Sequence, residues 1–136
     1  MAVVTITPAN IEKVDDATLS SGTLEASTTT AGGELIRSTS TGYVKADASS
    51  LTSATIAGIA WSKGSVGKQI DFFNSVGKEV DIGATLTEGI IYVVSGTAGA
   101  IEPYADLSTG ERAYMVGIGM PSTNLKYLPY DLGVAT

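Results

Sequence analysis

Two Ser-x-x-Lys phrases, Ser65 to Lys68 and Ser75 to Lys78, are the chain's nearest approach to a nucleophile beside a base. In penicillin-binding enzymes such a pair works when one turn of helix sets both side chains on one face. Here Val66-Gly67 and Val76-Gly77 fill the middle, and valine followed by glycine favours a turn. Gly64-Ser65-Val66-Gly67-Lys68-Gln69 is not a phosphate loop, because its glycines stand too close and no Ser or Thr follows the lysine to reach magnesium. Gly117-Ile118-Gly119 precedes Met120-Pro121 rather than a helix start, so it predicts a strand with close backbone packing or a bulge, not a dinucleotide site. Asp15 and Asp16 would diverge on a strand. Glu79 and Asp81 would share a face, but nothing beside them suggests a buried acid of raised pKa. The sequence contains no histidine and no cysteine, which removes the commonest general base, the commonest metal ligand and the best thiol nucleophile. The expectation is a protein that is not an enzyme, with no cofactor and no metal.

The aromatic residues are the remaining candidates. Phe72 and Phe73 are adjacent, so a strand places one ring on each face; if one face is core, the other ring is exposed or lies in an interface. Trp61 is the only tryptophan. It could stack on a sugar ring, but a lone Trp in an apolar strand is more often core. Trp61, Phe72 and Phe73 are therefore expected in the core or at an interface between copies.

These residues must be held by a domain of ordinary size, since 136 residues can bury a real core. Hydrophobic residues make up 43 %, too many for a disordered chain, and no apolar run approaches membrane-spanning length. Met1-Ala2-Val3-Val4-Thr5-Ile6 lacks the basic and long apolar regions of a signal peptide, so synthesis and use without general export is expected. The net charge of −6 would repel a phosphate backbone, which argues against nucleic acid as a partner. Only 16 % of residues are charged, against about 25 % in a typical soluble domain. So much uncharged surface suggests that other protein covers part of it.

Most of the sequence is short β-branched runs cut by Gly, Ser and Thr. Val3 to Ile6 is one, stopped by Thr7-Pro8. The Ser/Thr/Ala/Gly-rich stretch 20–33 suits either a flexible loop or a Thr-rich strand followed by a turn. Strands are expected over Glu34–Arg37, Tyr43–Lys45, Thr55–Trp61, Gln69–Phe73, Gly89–Val94, Tyr114–Gly119 and Leu125–Leu128. Ser65-Val66-Gly67-Lys68-Gln69-Ile70-Asp71 is echoed by Ser75-Val76-Gly77-Lys78-Glu79-Val80-Asp81, which reads as two successive strands, each entered through a Gly-Lys turn. Ala46–Ala54 and Tyr104–Leu107 could each form a helical turn or two. The fold class is mainly β, a small single-domain barrel or sandwich. An N-terminal arm and first turn (1–19) and the Ser/Thr/Gly-rich stretch (20–33) precede the β-rich body (34–136).

A resemblance rests on the order of segments. Thr30-Ala31-Gly32-Gly33-Glu34-Leu35-Ile36 leads into Thr41-Gly42-Tyr43-Val44-Lys45-Ala46-Asp47-Ala48 and then Ile56-Ala57-Gly58-Ile59-Ala60. Val80-Asp81-Ile82-Gly83-Ala84-Thr85-Leu86-Thr87-Glu88-Gly89 and Tyr92-Val93-Val94-Ser95 come after these. Next are Gly99-Ala100-Ile101-Glu102-Pro103 and Ala105-Asp106-Leu107-Ser108-Thr109-Gly110, and the run closes on Val116-Gly117-Ile118-Gly119. The series resembles the capsid decoration, or cement, proteins of tailed bacteriophages, in the lambda-type head decoration group. Each phrase is a generic strand and turn, so the order carries the likeness.

The resemblance implies a β-tulip-like homotrimer on the outer surface of a phage head, made in the host bacterial cytoplasm and joined to the major capsid protein, whose subunits it bridges in the expanded head. No nucleic acid or membrane partner is implied. Val3, Val4, Thr5 and Ile6 have strong β propensity, and Pro8 separates them from the rest of the chain. They are a candidate capsid-contact arm that is either tucked into the protein's own sheet or held for a partner's edge. The alternative from another class is a carbohydrate-binding or host-attachment module of a phage tail fibre.

Overall fold

Strands form where β-branched and aromatic residues run between glycine turns. The computed structural model describes residues 4, 12–13, 19–24, 33–61 and 66–135. In chain order the strands are β1 (Glu12–Lys13), β2 (Leu19–Thr23), β3 (Leu35–Thr39), β4 (Gly42–Lys45), β5 (Gly58–Ala60), β6 (Gln69–Phe73), β7 (Glu79–Asp81), β8 (Ile91–Val94), β9 (Ile101–Pro103), β10 (Arg112–Gly119) and β11 (Asn124–Val134). One helical turn, α1 (Leu51–Ala54), is capped by the Ser50 hydroxyl, which accepts from Ser53 N at 3.1 Å. A 3₁₀ turn covers Tyr104–Asp106. The two Gly-Lys turns are alike: Gly67 and Gly77 take left-handed φ values of 80° and 82°, and β6 and β7 begin one residue past each lysine. The chain is thus a mainly β domain.

Five strands form a sheet in the order β2-β6-β5-β3-β4, every neighbouring pair antiparallel. Its two edges meet. Leu24, just past β2, forms a parallel bridge with Tyr43 of β4. Parallel pairing is forced there, because alternating directions around an odd number of strands bring two like directions together. The sheet is therefore rolled into a small barrel. Its interior is Leu24, Ile36, Ala60, Ile70 and Phe72, with Tyr43 tilted against Phe72 at 5.0 Å between ring centroids. Gly22 makes this closure possible, since a Cβ there would lie 2.1 Å from the Tyr43 ring. Residues 19–24 belong to this barrel, so the β-rich body begins well before residue 34.

Six strands form the second sheet, in the order β1-β7-β11-β10-β8-β9. The row Leu19, Phe73, Ile59 and Leu35 runs across the barrel strands in register. With Ala46 and Ile56 it faces Val80, Tyr92, Val94, Ile101, Val116, Leu125 and Tyr127 of the sheet, forming the main core. Phe73 meets Tyr127 edge-on at 5.6 Å. Burial pushes the Tyr127 phenol up, so it stays protonated throughout the physiological range.

Candidate functional site

The second sheet ends in the β8–β9 hairpin, and there the protein leaves apolar side chains uncovered. Thr87-Glu88-Gly89 forms a tight turn, with Gly89 at φ 82° and Ile90 N bonded to Thr87 O at 3.3 Å. The Tyr92 hydroxyl fixes the turn by accepting from Thr87 N at 2.9 Å. Gly119 lies close beneath it, where a Cβ would fall 2.2 Å from the Thr87 carbonyl. Pairing of Tyr92 with Pro103 then brings Gly89-Ile90-Ile91 beside Pro103-Tyr104-Ala105. Between these two segments lies a groove of about 380 Å³. Ile90, Ile91 and Tyr104 are 39 %, 36 % and 40 % exposed, so each has apolar surface left to bury.

The groove lining holds no charged side chain, and the Tyr104 phenol is its one titratable group. Its chemistry is mainly that of contact: it can exclude water around an apolar guest, with the Tyr104 hydroxyl as its one polar side-chain group. Among the described residues, no group of three or more acidic, His or Cys side chains could hold a metal ion.

The residues singled out in the sequence fall elsewhere. Phe72 and Phe73 do occupy opposite faces of β6, but neither ring is exposed or free for an interface. Phe72 fills the barrel and Phe73 the main core, because rolling the sheet gives it two buried sides. Trp61 is half-buried against the main core and stacked on Phe73, with centroids 6.3 Å apart and planes at 29°. Of the candidate arm, Val4 alone lies among the described residues. It pairs antiparallel with Ile101 at the β9 edge, through Val4 N to Ile101 O at 2.6 Å and Ile101 N to Val4 O at 3.1 Å, and its side chain packs on the main core. Val3, Thr5 and Ile6 lie outside the described residues, as do Asp15, Asp16 and Ser65.

Ser75 and Lys78 sit in a turn, with Lys78 N donating to Ser75 O at 3.3 Å, so no helix aligns their side chains. Gly117 and Gly119 are in β10, next to a register shift between Met115 and Gly117, and a Cβ on Gly117 would lie 2.0 Å from the Lys126 carbonyl. Glu79 and Asp81 are half-buried on β7; Glu79 accepts from Asn124 Nδ2 at 3.5 Å and Asp81 caps Gly83 N at 2.9 Å.

Two titratable features have no signal in the sequence. Arg112 and Asp131 form a two-pronged pair across β10 and β11, with Arg112 Nε donating to Asp131 Oδ1 at 2.8 Å and a second, shorter bond from Nη2 to Oδ2. The guanidinium hydrogen bonds, with Gly133 N adding another, hold the Asp131 carboxyl below its ordinary range. The other is Glu102 on β9, fully buried beside the groove. Comparison of the chain with protein-family models, with curated proteins and with solved structures found no match.

Proposed function

We propose that this chain is a capsid decoration protein: a non-enzymatic structural module that sits as a trimer on the outside of a phage head and clamps neighbouring major capsid protein subunits. The observation that carries the reading is the ordered series of phrases from Thr30 to Gly119, which resembles that group throughout most of the chain. The uncharged groove at Ile90, Ile91 and Tyr104 supports it as a place for an apolar side chain of the capsid protein. One such groove binds weakly, because little apolar area is gained for the freedom lost on docking. Three grooves on one rigid trimer raise the overall affinity by roughly 10²–10⁴, which gives a physical reason for the trimer.

The test is co-sedimentation with bare expanded heads of the cognate phage. The expected result is saturable binding in multiples of three copies, lost in the Ile91→Ser/Tyr104→Ser variant. A folded monomer that ignores heads and instead binds glycans, with a change in Trp61 fluorescence, would replace this reading with the tail-fibre one.

A further inference from the structure

Alternation along β9 turns Ile101 into the main core and Glu102 to the opposite side of the sheet. An acid on that side is ordinarily solvated. Glu102 instead has 0 % exposure, and its Oε2 has no hydrogen-bond partner among the described residues. Its other oxygen accepts from Gly96 N at 3.4 Å, and the Ser95 hydroxyl donates to the same carboxyl. The Ser95 oxygen in turn accepts from Thr97 N at 3.0 Å, so the carboxyl is tied into the turn that joins β8 to β9.

Among the described residues, the charges that bear on it are Glu111 and Asp106, both acidic, while Glu34, against Gly99 of the same turn, is paired with Lys45 at 2.8 Å. Glu111, at the entry to β10, points an oxygen to within 2.2 Å of where a Cβ on Gly96 would stand, and its other oxygen caps Ser108 N at 2.9 Å. Asp106 approaches from the 3₁₀ turn. The β8–β9 turn contributes Gly96, Thr97, Ala98 and Gly99, and α1 is Leu-Thr-Ser-Ala, so neither brings a cation; Arg112 is engaged with Asp131.

From this geometry we infer that Glu102 carries a proton in the folded protein and latches the end of the β8–β9 hairpin, closed while the proton is present and loosened when it is lost. An ionised Glu102 would set a third negative charge beside two carboxylates, with one buried oxygen meeting no donor among the described residues. Burial first, and then the Glu111 and Asp106 charges, raise its pKa above the ordinary 4.5, outweighing the Gly96 and Ser95 hydrogen bonds that lower it. The native state thus holds more protons than the unfolded chain. Stability is full below the ordinary glutamate value, falls as pH rises towards the folded value, and stays at its lower level beyond. Relief comes by opening the turn 95–100, which frees the β9 edge and the Val4 pairing beside it. Such a latch would operate whether or not the protein binds a capsid.

Carboxyl NMR titration of the full chain tests it directly. Glu102 is expected to titrate above the ordinary glutamate value, with amide protection at Gly96, Ala100 and Ile101 falling through the same interval. Glu102→Gln should remove that interval, and Glu111→Gln should move the Glu102 titration down. A Glu102 that titrates at or below the ordinary value overturns the inference. So does calcium raising the melting temperature of the wild type but not of Glu102→Gln, which would make the occupant a cation. The titration needs only the wild-type protein, so a variant that fails to fold does not decide the matter.

Discussion

The barrel and the six-stranded sheet handle their edges in opposite ways. In the barrel the first and last strands meet at Leu24 and Tyr43, and the side chains on its inner face are buried against one another. Among the described residues, the second sheet ends in two short strands, a two-residue β1 and a three-residue β9 that carries the Val4 bridge and closes at Pro103. Short strands and an edge proline keep such ends from templating aggregation. Next to the β9 end the sheet retains Ile90, Ile91 and Tyr104 partly uncovered. A closed ring has no free strand edge, whereas a sheet with a blunted edge can offer side chains without offering its backbone.

This contrast is sharpest at the barrel wall. Phe73→Ala should remove about 3–5 kcal/mol and lower the melting temperature steeply, because the ring serves both Trp61 and Tyr127. Calorimetry checks it; a small shift would mean that the main core does not depend on this wall. Next in size is Gly22→Val, expected to lose about 1–3 kcal/mol by driving the Tyr43 ring out of the seam. The loss should shrink in Gly22→Val/Tyr43→Leu, and strict additivity in that double-mutant cycle would deny that Gly22 and Tyr43 close the barrel.

On the open sheet the effects are smaller. Asp131 is held below the ordinary 3.8, so the stability it lends is present above that value and lost as pH falls through the folded value. Asp131→Asn should therefore flatten the acid limb of the melting curve while leaving the barrel variants' losses unchanged. Smallest of all, Tyr104→Ser should change stability by about 1 kcal/mol or less yet weaken attachment to heads. If it unfolds the protein instead, the groove is a structural seam rather than an offered surface.

Much of this division is legible in the residues. Gln69–Phe73 and its echo at Glu79–Asp81 stand out because Gly-Lys turns introduce alternating apolar positions. Gly117-Ile118-Gly119 reads as close packing at a bulge and is found beside one. Leu125–Leu128 underestimates β11, which runs on to Val134 through Pro129. Proline marks a strand end in isolation, but here it falls at the shift between the Gly117–Tyr127 and Met115–Tyr130 pairs, where the ladder is already irregular. The barrel closure could not be read at all, since it depends on Gly22 meeting a ring 21 positions away. The groove is hidden for the same reason: Ile90 and Tyr104 are ordinary residues until the hairpin sets them side by side. Glu102 obeys the alternation, but the approach of Asp106 and Glu111 to it is announced by no local pattern.

The pairing of early strands with late ones also fixes when the protein can fold. Leu19 waits for Phe73, Glu12 for Asp81, and Val4 for Ile101. During synthesis the barrel cannot close until β6 has left the ribosome, and the Val4 bridge at β9 cannot form until Ile101 is out. Loops of this length must be ordered before any contact rewards them, placing folding in the millisecond-to-second range of non-local β domains. Val4, Glu12 and Leu19 are thus each made well before the residue they pair with.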